Sequence, residues 1–279
     1  MHGRTKIKAF LIFEGGIEME QTQLKNISIS GSGTSSGGEY DQVKVNGSAH
    51  IHGDLICEQF KCNGSAHLEG NITTNTAKIN GSTHFEGDVE VKEMTINGST
   101  DIDGNLLCDE LKVQGSSTIK GNVKGKEIIV RGSASIDGNV SSDEIDVKGQ
   151  VKIKGDCETE SFEARGNFKI DGLLNAGTID VELLRHCEAK EIGGENITVK
   201  KTRDASGFKK LIKFFMSNHN DQLTAEVIEG DNLYLEHTHA EVVRGNTIEI
   251  GPGCDIKRIE YKTSLEIDPD AKVGTQEKI

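Results

Sequence analysis

Tryptophan is absent from this 279-residue chain, proline occurs twice, and aromatic residues make up only 4% of it. A bulky core of large rings is therefore excluded, although a hydrophobic content of 34% suffices for a thin, repetitive one. Basic residues are also in deficit, with 32 Lys and Arg against 45 Asp and Glu and a formal net charge of −13. That balance argues against a nucleic-acid partner, whose phosphates require a basic surface. No apolar run reaches the roughly 18 residues of a membrane-spanning helix. Six cysteines, Cys57, Cys62, Cys108, Cys157, Cys187 and Cys254, form no CxxC pair and no disulfide-like framework, which points to a reducing compartment and a cytoplasmic protein.

The opening MHGRTKIKAFLIFEGG combines basic residues with an apolar run too short for a signal peptide, and no small-residue cleavage site follows. Glu14-Gly15-Gly16 can be encoded by a bacterial ribosome-binding sequence just ahead of Met19, so translation is expected to start at Met19.

Glycine, in contrast, is abundant at 33 residues, and it is periodic. NGSAHIHG from Asn46 returns as NGSAHLEG from Asn63, NGSTHFEG from Asn80 and NGSTDIDG from Asn97, then as QGSSTIKG, RGSASIDG, KGQVKIKG and RGNFKIDG. The opening glycines, Gly47, Gly64, Gly81, Gly98, Gly115, Gly132, Gly149 and Gly166, are spaced by 17 residues without insertion. Such a period marks one structural unit stacked on the next, a solenoid. Asn46, Asn63, Asn80 and Asn97 are then expected to stack as an amide ladder at a corner rather than to serve as glycosylation sequons.

Aligned on those glycines, the units separate into columns. Ile51, Leu68, Phe85, Ile102, Ile119, Ile136, Ile153 and Ile170 form an unbroken apolar column, and pairs such as Phe60 with Cys62 or Leu111 with Val113 form another two. Inward positions come in pairs two apart, as in strands, and three such pairs fill each unit. A second invariant glycine, followed by Asp or Asn in most units, reads as a corner at which Gly adopts positive φ and the Asx side chain bonds its local backbone. The fold expected is all-β: a right-handed three-sided parallel β-helix of about 17 residues per rung, each rising about 4.8 Å on the last. Cys57, Cys62, Cys108 and Cys157 fall in inward columns and read as small buried hydrophobes, with redox or metal roles as the alternative.

The register divides the chain into a disordered or mis-assigned start at 1–23, a β-helix at 24–200, a linker at 201–222, further rungs at 223–274 and a tail at 275–279. Within the linker, SGFKKLIKFFMSN from Ser206 reads as a short amphipathic helix. Phe208, Leu211, Ile212, Phe214, Phe215 and Met216 make up its apolar content, and the segment either packs on the solenoid or meets a membrane surface or a partner protein. The further rungs place Leu233 with Leu235, Ile248 with Ile250, Ile256, Ile259 with Tyr261, and Leu265 with Ile267 inward.

Candidate chemistry is sparse. His50, His67 and His84 share one outward column and read as a solvent face, or alternatively as a site for Zn or Ni. His237 and His239 are placed on one strand face by the same reasoning. Glu93, Glu110, Glu127 and Glu144 stack as a like-charge ladder, which Lys112 on the same face partly offsets. No catalytic or cofactor-binding residue can be nominated, because no nucleophile-base order, P-loop or HExxH is present.

A β-helix of about 17-residue NGS and GD rungs with apolar pairs resembles the bactofilins, a bacterial polymer-forming cytoskeletal family. The resemblance runs from Ile27 to Val199, and NTIEIGPGCDIKRIEY with DPDAKV, between Asn246 and Val273, is similar to the longer Gram-positive type. It implies end-to-end self-assembly into nonpolar filaments without nucleotide, and scaffolding of envelope, shape or motility machinery, often at the inner face of the membrane. Open strand edges at Leu24 to Tyr40 and at Leu265 to Gly274 independently favour assembly, with Leu265 and Ile267 as contacts. A β-helix carbohydrate-active enzyme or acyltransferase, and a monomeric adaptor for envelope or flagellar proteins, are the alternatives.

Overall fold

A computed structural model describes residues 5–9, 19–202 and 221–279. Every regular element among them is a β-strand, and all but one antiparallel pair (Thr5–Ala9 with Met19–Gln23) belong to a single 22-stranded sheet paired in parallel. The expected all-β, three-sided parallel β-helix is what the chain forms. Each regular rung contains a four-residue strand such as Ser65–Leu68 and an eight-residue strand such as Ile72–Ile79. In the longer strand Ile72 and Thr74 face inward, Asn75 and Thr76 interrupt the alternation, and Ala77 and Ile79 face inward again, so one strand bends across two sides.

The inward columns form one continuous core of stacked Ile, Val, Leu, Phe and Cys along the axis. Two of its sites are aromatic pairs, Phe60 with Phe85 and Phe162 with Phe168. One inward column carries hydroxyls. The Oγ1 of Thr100 is fully buried and bonds no partner. A buried hydroxyl left unpaired costs about 1–3 kcal/mol. Thr100→Val keeps the shape and removes the polar atom, so it is expected to stabilise the protein by about 1 kcal/mol. A lowered midpoint in thermal denaturation would contradict this.

The glycines act differently from the sequence expectation. Positive φ occurs at Gly38, Gly53 and Gly253, but at no other described glycine. In the second column, where positive φ was expected, a Cβ on Gly87 would lie 2.7 Å from the carbonyl oxygen of Gly70; in the opening column one on Gly98 would lie 1.9 Å from that of Gly81, and the other opening glycines are crowded in the same way. Close approach between rungs, rather than backbone handedness, selects glycine there. The Asx residues also work between rungs. The Oδ1 of Asp88 accepts the amide of Asn105 at 2.7 Å, and the Oδ1 of Asn105 accepts that of Asn122 at 2.9 Å, each 17 residues on.

The segment at 203–220, including the expected helix and its residues Phe208, Leu211, Ile212, Phe214, Phe215 and Met216, lies outside the described residues. On either side of it the ladder is continuous: the strand Cys187–Lys201 pairs directly with Leu223–Leu235. Beyond that junction the spacing is 15 residues between Leu223–Leu235 and Thr238–Ile250, 16 to 17 in the next pairing and 17 again in the last. The last strand, Lys272–Lys278, pairs along the preceding rung, so most of the expected tail at 275–279 is strand.

Candidate functional site

Two apolar columns run without a break along one side of the triangle. The first starts at Ile27, passes through Val43, Phe60 and Ala77, and reaches Leu233, Ile248 and Leu265. The second starts at Ile29 and Val45 and ends at Ile250 and Ile267. Interior members are buried, whereas Ile27 and Ile29 at one end and Leu265 and Ile267 at the other are half-buried. The same side of the β-helix is thus left apolar and uncovered by any further described strand at both ends.

The other two sides of the first turn differ. Opposite Ala49, Ile51 and Leu55 stand Gly33, Ser35 and Gly38, and only Tyr40, opposite Cys57, supplies a large side chain. Its hydroxyl donates to the Ser36 carbonyl at 3.2 Å.

The lateral face carries the polar ladders. Asn63 Nδ2 donates to Asn46 Oδ1 at 2.8 Å, and Asn80 and Asn97 repeat the bond at 2.7 Å, so the expected amide ladder forms. His50, His67 and His84 stack as expected, with ring centroids 4.6 and 4.9 Å apart. They do not converge on one point, however. His67 Nε2 meets Glu86 at 2.7 Å and His84 Nε2 meets Asp103 at 3.3 Å, each a carboxylate of the next rung. His50 instead shares Glu69 with His52, at 2.6 and 2.7 Å. Hydrogen bonds from His52 and His50 hold the Glu69 carboxyl below its usual range, and Lys120, then His84, do the same for Asp103.

His237 and His239 do not share a strand face. His237 occupies a turn with a φ of 46° and burial lowers its pKa, whereas His239 lies within the strand Thr238–Ile250 opposite Thr224 and Asp255. The glutamate ladder stacks as read, with Glu93, Glu110, Glu127 and Glu144 in register, and Glu110 pairs with Lys112. All six cysteines are buried and free, and burial pushes the Cys108 and Cys157 thiols up to about 12.

Sequence reasoning missed two buried carboxylates in the second block. Glu236 accepts the Lys201 amide at 2.8 Å and the Tyr234 hydroxyl at 2.6 Å, anchoring the chain where the 203–220 segment departs. Glu260 is held by Arg244 and Arg258, and Arg244 keeps its carboxyl below the usual range. Their inward neighbours Ile259 and Leu235 were legible from alternation; an acidic residue beside them was not.

The sequence model of one family, described as "Bactofilin: Polymer-forming cytoskeletal", matches the chain twice, over residues 5–107 and 94–190. Two proteins of Bacillus subtilis (strain 168) are similar. The uncharacterized protein YhbF is 45% identical over 109 residues, which are 39% of this chain and 42% of that protein. The uncharacterized protein YhbE is 38% identical over 109 residues, 39% of this chain and 44% of that protein. The chain therefore matches less than half the length of either relative. No solved structure matches it. With its 17-residue rungs, uninterrupted core and a family match that reaches from residue 5 to 190, the chain belongs to the bactofilins, the polymer-forming cytoskeletal family.

Proposed function

We propose that the protein is a structural element that assembles end to end, without nucleotide, into a nonpolar filament or scaffold serving cell shape, envelope or motility assembly. Support comes from the two apolar columns that run the length of one side and end half-buried at Ile27, Ile29, Leu265 and Ile267. Covering them with a second copy removes apolar surface from water at about 25 cal/mol per Å² and gives open strand edges a partner. The basic apolar segment from Phe208 to Met216 is read, on its sequence pattern, as the part that meets the inner membrane surface or an envelope or motility partner.

Negative-stain microscopy of the purified full chain without nucleotide is expected to reveal filaments. In a nonpolar filament each copy uses one end for each neighbour, so Leu265→Glu with Ile267→Glu should leave dimers joined through the Ile27 end. Circular dichroism should show the same β content, because both residues are half-buried at the end of the core. Monomers of the wild type at every concentration, or unchanged filaments of the variant, would overturn the proposal. Monomers of the variant would make the filament polar.

A further inference from the structure

We propose that His50, His52 and Glu69 form a divalent transition-metal site on the lateral face of the β-helix, taking Zn²⁺ or Ni²⁺ through two imidazole nitrogens and one carboxylate. Strand alternation in Ser48–Cys62 puts His50 and His52 on the same outer face, and the 17-residue period brings Glu69 of the next rung beside them. The Glu69 amide donates to the Ile51 carbonyl at 3.0 Å, so the backbone between the two histidines is fixed to the residue that completes the set.

The donor atoms already converge. His50 Nε2 lies 2.6 Å from one Glu69 oxygen and His52 Nδ1 lies 2.7 Å from the other. The two rings stack at 4.3 Å with 26° between their planes, and one donor atom from each residue lies within 4.8 Å of the others. Bonds of about 2.0–2.2 Å to an ion would place donors about 3.0–3.5 Å apart, so each imidazole nitrogen would draw back from its Glu69 oxygen by up to about 0.9 Å. Exposed side chains can open by that much.

Nitrogen and oxygen donors in this ratio suit Zn²⁺, Ni²⁺ or Cu²⁺, whereas Mg²⁺ and Ca²⁺ prefer oxygen alone. The side chains are 40%, 51% and 39% exposed, which leaves the remaining coordination positions to water. Position within the ladder distinguishes this site from its neighbours. Where His52 stands, the following rungs carry Glu69, Glu86 and Asp103, so the pairs His67 with Glu86 and His84 with Asp103 offer one imidazole each. Only the first rung of this ladder supplies two imidazoles to one carboxylate.

Isothermal titration of the untagged full chain with ZnCl₂ and NiCl₂ tests the site. Saturable binding of one ion per chain is expected, weakened at least about tenfold in His52→Gln and in Glu69→Gln. His84→Gln, which removes an imidazole from the same ladder outside the site, should leave the affinity within about twofold. All three residues are partly exposed, and an unchanged β signal in circular dichroism confirms that each variant folds. Absence of saturable binding up to about 1 mM ion, or undiminished affinity in His52→Gln, would overturn the proposal.

Discussion

Gly98→Ala is expected to break the β-helix at its rung and to destabilise the protein by about 3 kcal/mol or more. The added Cβ would stand 1.9 Å from the Gly81 oxygen and 2.7 Å from the Asn80 oxygen, both backbone atoms that cannot swing aside. The Gly81 oxygen also accepts the Ser99 amide at 2.9 Å, so moving the rungs apart to admit a methyl group breaks that bond. It also strains the Asn97 to Asn80 amide bond on the same corner. Because a solenoid's stability is a sum of rung and interface contributions, one spoiled interface weakens both blocks it joins. Gly31→Ala is the control, since a Cβ there meets nothing within 4 Å. Chemical denaturation should therefore separate the two variants sharply. Equal midpoints would show that the chain absorbs the clash by local movement, and that close approach is not what holds glycine in this column.

The second large effect is alkaline unfolding. Burial raises the thiols of Cys57, Cys187 and Cys254 to about 11 and those of Cys108 and Cys157 to about 12, from an ordinary value of 9.0. The folded state thus holds its thiols neutral while the unfolded chain ionises them. Their contribution to stability is fully present below pH 9.0 and is lost as pH rises through 11 to 12. Each pKa unit corresponds to about 1.4 kcal/mol, so at pH 11 a single freely ionising thiol favours unfolding by nearly 3 kcal/mol. Several such groups together rival the about 5–15 kcal/mol by which domains are stable. Loss of the β signal in circular dichroism is expected between pH 9 and 11 under conditions where the protein is folded at pH 8. Cys108→Val with Cys157→Val should move that transition to higher pH, because valine fills the same columns at Val91 and Val140 in the adjoining rungs. A transition at the same pH would remove the thiols as its cause.

The glycine and cysteine effects differ in how far the sequence alone carries them. The 17-residue glycine spacing and the inward placement of Cys57, Cys108 and Cys157 are both local, periodic signals, and strand alternation converts them directly into a buried column. The reason for each glycine was different. A sequence period says that Gly81 and Gly98 are equivalent, but not that their backbones approach so closely that no side chain fits between them. Corner chemistry at positive φ was the natural reading, and it applies at Gly53 but not to the glycines of the later repeat units. The histidines repeat the lesson. Their column was legible, yet which nitrogen meets which carboxylate depends on a diagonal step between rungs, and that step brings His52 and Glu69 beside His50.

What the sequence determined by itself is the rung: three inward pairs, two glycine corners and a fixed period, because strand alternation and glycine spacing operate within a few residues. Only the tertiary structure decided how the rungs join. Cys187–Lys201 pairs directly with Leu223–Leu235, the next spacing shortens to 15 residues before returning to 17, and Ile27 and Leu265 prove to be the two ends of one apolar column. Strand pairing accepts any partner whose inward positions coincide, whatever length of chain lies between, and that coincidence is a property of space rather than of sequence separation.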